Sequence, residues 1–204
     1  TSVVVFLFYK SQIYFMKKSK LYLLMITAIV TFGVIARVLP HNANFAPMGA
    51  IALFSIAFYK RKSLALAIPV LAWWLSDLFL NNTAYASSEG FTWFTYDQLF
   101  SILALVAIIG LGAFLLKKMN IAKVIVGSVS ASLIFFLVSN FGVWAQGLLY
   151  PKTIIGLTSC YTMALPFYQA TFVSDLVFTG VFFTAMYFFS KTEIAQNKLI
   201  AIKN

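Results

Sequence analysis

Between Arg37 and Gly49 the chain reads R-V-L-P-H-N-A-N-F-A-P-M-G, setting a guanidinium, the chain's single histidine, two amides and two prolines between long apolar runs. Polar groups packed this densely beside a bilayer span are costly, so they need a task or a fixed partner. Arg37 has three courses open to it: an ion pair with a carboxylate, a hold on a polar ligand, or a snorkelling position in the headgroups. Asp77 and Asp175 stand at comparable depth on other apolar runs and are the carboxylates it can reach. His41 has no second histidine and no cluster of cysteines with which to bind zinc. As a general base, oriented by Asp77, it would need a nucleophile, and no serine lies in a nucleophile-elbow context. A hydrogen-bonding role in a cap or ligand pocket suits it better. Asn44 and Asn140 each precede a phenylalanine at the end of an apolar run, and a buried amide must satisfy both its donors and its acceptor. Asn140 therefore either pins two helices together or faces a ligand.

Apolar runs carry these residues. Leu21 to Leu39 has the length of a spanning helix, and Pro40 stops it. Pro47 sits where a new helix starts, and Met48 to Tyr59 is a short run closed by Lys60, Arg61 and Lys62. Ser63 to Leu80 follows, with Pro69 inside and Asp77 near its end. Next come Asp97 to Leu116, Val124 to Trp144 and Thr171 to Ser190. Ile154 to Tyr168 is more weakly apolar, interrupted by Gly156, polar residues and Pro166, and reads as an interfacial segment. Pairs of small residues four apart, Gly127 with Ala131, Ser128 with Ser132 and Ala46 with Ala50, favour close helix packing. For the aromatic residues Trp73, Trp74, Trp93, Trp144 and Tyr150, interfacial anchoring competes with a site role.

Composition sets the class. With 62% hydrophobic residues, 10% charged residues and a mean hydropathy of +0.92, the chain exposes more apolar surface than a soluble domain of 204 residues can hide. The net charge of +10 does not imply nucleic acid, because the basic residues fall in short clusters between apolar runs. One cysteine, Cys160, excludes an intrachain disulfide. No phosphate-binding glycine loop, H-E-x-x-H motif or paired-carboxylate signature occurs, so no cofactor is expected, and energy from a nucleotide would have to come from another subunit.

The positive-inside rule chooses the topology. If Met48 to Tyr59 crosses the bilayer and Ile154 to Tyr168 does not, twelve of the fifteen basic residues share one side. The expectation is an all-α integral membrane protein with six transmembrane helices and both termini cytoplasmic. Its second span is short, either lengthened by preceding residues or set deeper in the bundle. Arg37, His41, Asn42, Asn44, Asp77, Glu89, Asp97, Asn140, Lys152 and Asp175 then gather at or near the outer face. Met16 to Lys20, M-K-K-S-K, reads as the start of the membrane domain, making residues 1–15 an upstream extension or a disordered tail and residues 16–204 a single domain. The Asn-Phe pairs at Asn44 and Asn140 hint at an inverted repeat, a plan used by many transporters.

Four stretches carry a family resemblance. They are R-x-L-P-H-x-x-N-F-x-P-x-x-A-x-A-L-F from Arg37 to Phe54, S-D at Ser76 and Asp77, S-x-x-F-F-x-x-S-N-F-x-x-W from Ser132 to Trp144, and Y-P-x-T-x-x-G-L-x-x-C-Y-x-x-A-x-P-F from Tyr150 to Phe167. Together they resemble a family of bacterial integral membrane proteins known only as a domain of unknown function, across nearly everything from Met16 to Ser190. Span number and length also resemble, more loosely, the substrate-binding S components of energy-coupling factor transporters. That resemblance implies capture of a vitamin-like micronutrient at the outer face, beneath the loop after the first helix. It also implies an ATPase pair and a coupling subunit as partners. The first-helix alanines four apart that meet the coupling subunit in those proteins are missing here, because Phe32 stands between Ala28 and Ala36.

The sequence therefore leads to a multi-pass protein of a bacterial inner membrane, a transport component more than an enzyme, with Arg37, His41, Asn44, Asp77, Asn140 and Asp175 around a small-molecule ligand. An accessory or assembly subunit with a structural polar cluster is the main alternative. An enzyme using His41 and Asp77 is the other.

Overall fold

The computed structural model describes residues 20–39, 45–59, 61–86 and 90–203. They form six α-helices: α1 (Lys20–Val38), α2 (Met48–Phe58), α3 (Lys62–Asn81), α4 (Tyr96–Leu115), α5 (Ile121–Gln146) and α6 (Ile154–Lys203), with one 3-10 turn at Leu116–Lys118. α3, α4 extended by its 3-10 turn, α5, and residues 154–192 of α6 are each long and apolar enough to cross a membrane, which makes this a multi-pass membrane protein. α2 is far shorter. Its 11 residues rise about 16 Å, roughly half the hydrocarbon thickness of a bilayer.

That short helix is the centre of the bundle. It packs against each of the other five helices, and Met48 to Ser55 and Phe58 are all buried. A helix apolar on every face, M-G-A-I-A-L-F-S-I-A-F, has no polar side to turn outward, so it is stable only when surrounded. Phe54 and Phe58 of α2 lie 4.6 Å apart, centroid to centroid, and meet Phe182 and Phe183 of α6 edge-on or tilted at 5.3–5.8 Å. On another side Gly112 of α4 leaves the space into which Ile56 and Leu53 pack.

The α6 helix corrects one expectation. Ile154 to Tyr168 is not a separate interfacial segment: it is the first part of a continuous 50-residue helix that runs through Pro166. Its early turns lie along the end of α5. The Tyr161 hydroxyl donates to the Leu137 carbonyl at 2.8 Å, and the Cys160 thiol donates to the Asn140 carbonyl at 3.4 Å. Phe136 stacks at a tilt against both Tyr161 and Tyr168. These contacts hold the region around Pro166 against a neighbouring helix, where a proline that removes one backbone hydrogen bond can be accommodated. Gly147, with φ of 72°, ends α5 in the left-handed conformation glycine favours and turns the chain toward α6.

The link between α3 and α4 is closed by its own polar groups. The Asn82 side chain donates to Thr92 O at 2.9 Å and accepts from Thr92 N–H at 2.8 Å, joining the two ends of the link. Thr95 and Gln98 form a capping box at the start of α4. Tyr85, Phe91, Trp93, Phe94 and Tyr96 are exposed along this link, as interfacial aromatics would be.

Candidate functional site

Arg37 lies in the last turn of α1, and α3 brings it two partners. One guanidinium nitrogen donates to the Asp77 carboxylate and the other to the Ser76 hydroxyl. A third neighbour comes one turn earlier on α3, because the guanidinium carbon stands 4.1 Å from the centroid of the Trp73 ring. Stacking on an aromatic face suits a planar, weakly hydrated cation. Ser76 in turn donates toward the Ala72 and Trp73 carbonyls at 2.6 and 2.9 Å, which keeps its oxygen facing Arg37. Trp73 is itself held at 5.2 Å by the Phe135 ring of α5. Positions 73, 76 and 77 share one helical face, which explains how a single stretch of α3 supplies all three contacts. Arg37 is only 8% exposed and pairs as one of its three courses anticipated, so the snorkelling course does not describe it.

Asp175 does not join this group. It is 1% exposed on α6, and its Oδ1 accepts the backbone N–H of Ala50 at 3.1 Å. Ala50 is the third residue of α2, so the carboxyl answers one of the leading N–H groups that a helix cannot satisfy internally. Pro47, the N-cap residue, offers no side-chain cap of its own. The carboxyl thus acts as a cap borrowed from another helix, at the end where the aligned peptide dipoles favour negative charge. Gly49 makes the approach possible: a Cβ there would lie within 2.4–2.8 Å of the carboxyl atoms. The second oxygen, Oδ2, is buried without a hydrogen-bond partner, as are the hydroxyls of Ser174, the preceding residue, and Thr179, one turn further along α6.

Asn140 is elsewhere again. Its amide donates to Phe136 O, four residues back on its own helix, at 2.8 Å. It neither pins a second helix through its side chain nor joins the Arg37 group by any hydrogen bond among the described residues. His41 and Asn44 lie outside the described residues. The structure therefore brings together Arg37 and Asp77 and gives Asp175 a backbone partner, while Asn140 turns to its own helix.

Three contributors are not among the six residues to which the sequence points. Ser76 stood in the sequence as half of an S-D pair, one position from an acidic residue already chosen. Trp73 was one of several tryptophans weighed as interfacial anchors; the signal separating it from Trp74 is its place one turn before Asp77 on the same face. Gly49 closed the polar stretch without a role, and a glycine beside a helix-starting proline was the available sign of a close approach.

The two anchors lie at opposite ends of one connection. Arg37 is fixed where the chain leaves α1, and Asp175 holds it where α2 begins. Among the described residues, the buried Trp73 indole N–H and Gln98 side-chain amide also lack hydrogen-bond partners. Among the described residues no group of three or more histidine, cysteine, aspartate or glutamate side chains is placed to hold a metal ion. Asp77 already accepts from Arg37 through Oδ1, so orienting a histidine would fall to its other oxygen.

No curated protein and no solved structure matches this chain. Residues 17–197 match the model of one protein family across most of the chain, and the protein accordingly belongs to the family of unknown function DUF6580.

Proposed function

We propose that this protein is a membrane transport component that captures a small polar or aromatic metabolite beneath the connection between α1 and α2. The observation that carries this reading is the half-length helix α2, whose start is buried and donates its Ala50 N–H to a carboxyl from α6. Interrupted helices whose ends face polar groups within the membrane are a recurring way of building solute and ion sites in transporters. The unpartnered donors of Trp73 and Gln98 add hydrogen-bonding capacity that a bound solute would use, since unmet polar groups in a buried setting carry a cost a ligand removes. The six-span outer-face arrangement, the bacterial inner membrane, and S-component-like partners, an ATPase and a coupling subunit, belong to the same proposal.

Native mass spectrometry of gently extracted protein tests it. The expected result is a bound metabolite of a few hundred daltons, retained by the wild type and lost in Trp73→Phe, which removes one donor and leaves a smaller aromatic ring. Copurification of an ATPase and a coupling subunit would extend the result to energised uptake. Protein that emerges free of metabolites from cells in which it is functional, with Trp73→Phe indistinguishable from it, overturns the reading.

A second reading is favoured by one specific observation: Arg37 and Asp77 satisfy each other, as a structural lock would. On that reading the protein is an assembly subunit. A larger partner should then copurify stably, and Arg37→Ala should lose the assembly without altering any metabolite content.

A further inference from the structure

We infer that Asp175 is the anchor of a binding site for a small monovalent cation, a proton or a sodium ion, at the start of α2. The inference stands apart from the metabolite reading, since an assembly subunit with this geometry would hold the same cation.

The argument is one of charge. An ionised carboxyl at 1% exposure inside a membrane bundle needs a compensating positive charge, because transfer of a bare ion from water is prohibitive. The positive end of α2 offers only about half an elementary charge, and the hydrogen bond from Ala50 occupies one oxygen alone.

No side-chain cation completes the neutralisation among the described residues. α2 carries no charged residue, and α5 carries none beyond Lys123 in its first turn. Arg37, at the end of α1, is bonded to Asp77. On α6 itself the next charged residue is Lys191, whose ammonium stands 4.6 Å from the Tyr187 ring more than three turns away.

Two further unpartnered hydroxyls lie near Asp175 along α6. Oδ2 has no donor, Thr179 lies one turn further on the same face of α6, and Ser174 is the adjacent residue. All three are almost wholly buried: Ser174 is 0% exposed and Thr179 2%. The Asp175 carboxylate oxygen and the Thr179 hydroxyl, four residues apart on one helical face, are hard oxygen ligands, suited to a proton shared by hydrogen bonds or to an alkali cation. They include no nitrogen or sulfur that would select a transition metal.

Thermal unfolding of the full chain in lipid nanodiscs tests the site, because a ligand that binds only the folded state raises the midpoint. Two arms separate the cations. In the first, sodium chloride replaces choline chloride at fixed alkaline pH; in the second, pH falls in sodium-free buffer. A rise of roughly 5–10 °C in either arm is expected, the order that a ligand at about a hundred times its Kd gives a chain of this size. Which arm responds identifies the ion. Asp175→Asn keeps the acceptor for Ala50 and removes the charge, so its midpoint should be flat in both arms. A wild type equally flat, or an Asp175→Asn variant that responds as the wild type does, overturns the site. Should Asp175→Asn fail to fold, infrared difference spectra of wild-type protein labelled with 13C at the aspartate carboxyls decide. A labelled carboxyl band must change between the two ionic conditions in wild type, in Asp97→Asn and in the Arg37→Met, Asp77→Leu double variant, which together leave Asp175 as its source, and its absence refutes the assignment.

Discussion

The two anchors of the α1–α2 connection solve the problem of buried charge in different ways. Arg37 meets a full counter-charge, a hydroxyl and an aromatic face, all from one side of α3. Asp175 meets the end of a helix and leaves an oxygen unanswered. A pair that satisfies itself has little left for a ligand; a carboxyl half satisfied has something left to bind. The difference leaves the first anchor with partners on several sides and the second with an oxygen still open to a partner.

The largest effect should come from breaking the self-satisfied anchor. Arg37→Ala leaves Asp77 as an uncompensated, largely buried charge, and a loss of about 3–5 kcal/mol is expected in denaturant unfolding of the detergent-solubilised protein. Arg37→Met combined with Asp77→Leu removes both charges and should cost much less than the two single changes added together. Additive losses would mean that the two side chains do not depend on one another, and the contrast with Asp175 would collapse.

Second in size is the approach of α6 to α2. Gly49→Ala places a methyl group where the Asp175 carboxyl lies, and overpacking of this kind costs about 1–3 kcal/mol. Repeating the change in an Asp175→Ala background removes the clash, so most of the loss should vanish there. If Gly49→Ala costs the same in both backgrounds, the carboxyl is not what the glycine makes room for.

How far the sequence led is visible in these same residues. The apolar runs and the two prolines marked the ends of α1 and the start of α2, since proline acts locally on the chain. Charge makes a carboxylate one of three courses open to Arg37, beside a ligand and the headgroups. What did not follow was the choice between Asp77 and Asp175, which lie on different helices whose rotation the apolar pattern leaves open: α5 and α6, for example, are apolar nearly all round. Asp175 was sought as a partner for side chains, whereas its partner is a backbone N–H, and every helix start in the chain offers those equally. Asn140 turned inward for a related reason, because an asparagine in mid-helix can satisfy its donor on the carbonyl four residues earlier. Pro166 suggested a break, yet packing along α5 keeps the helix continuous.

A smaller effect should separate the contributors to the Arg37 anchor. Ser76→Ala removes one acceptor from the guanidinium and leaves the Asp77 pair and the Trp73 face in place. A loss of roughly 1–2 kcal/mol is expected by the same unfolding measurement, the cost of one buried donor left unanswered. A loss as large as that of Arg37→Ala would mean that the hydroxyl, rather than the carboxylate, carries the anchor.

The smallest effect tests the comparison from outside both anchors. Gly110 lies on the exposed face of α4, and a Cβ there would have no atom within 4 Å. The same glycine-to-alanine change that should damage the protein at position 49 ought to help here, because alanine loses less backbone entropy in a helix, by up to about 1 kcal/mol. Unfolding of Gly110→Ala should therefore shift slightly toward greater stability. The opposite sign would carry its own information: it would place another chain against this face of α4 in the membrane, close enough for a methyl group to intrude. Agreement at both glycines would instead trace the damage at position 49 to the carboxyl it faces and not to the substitution itself.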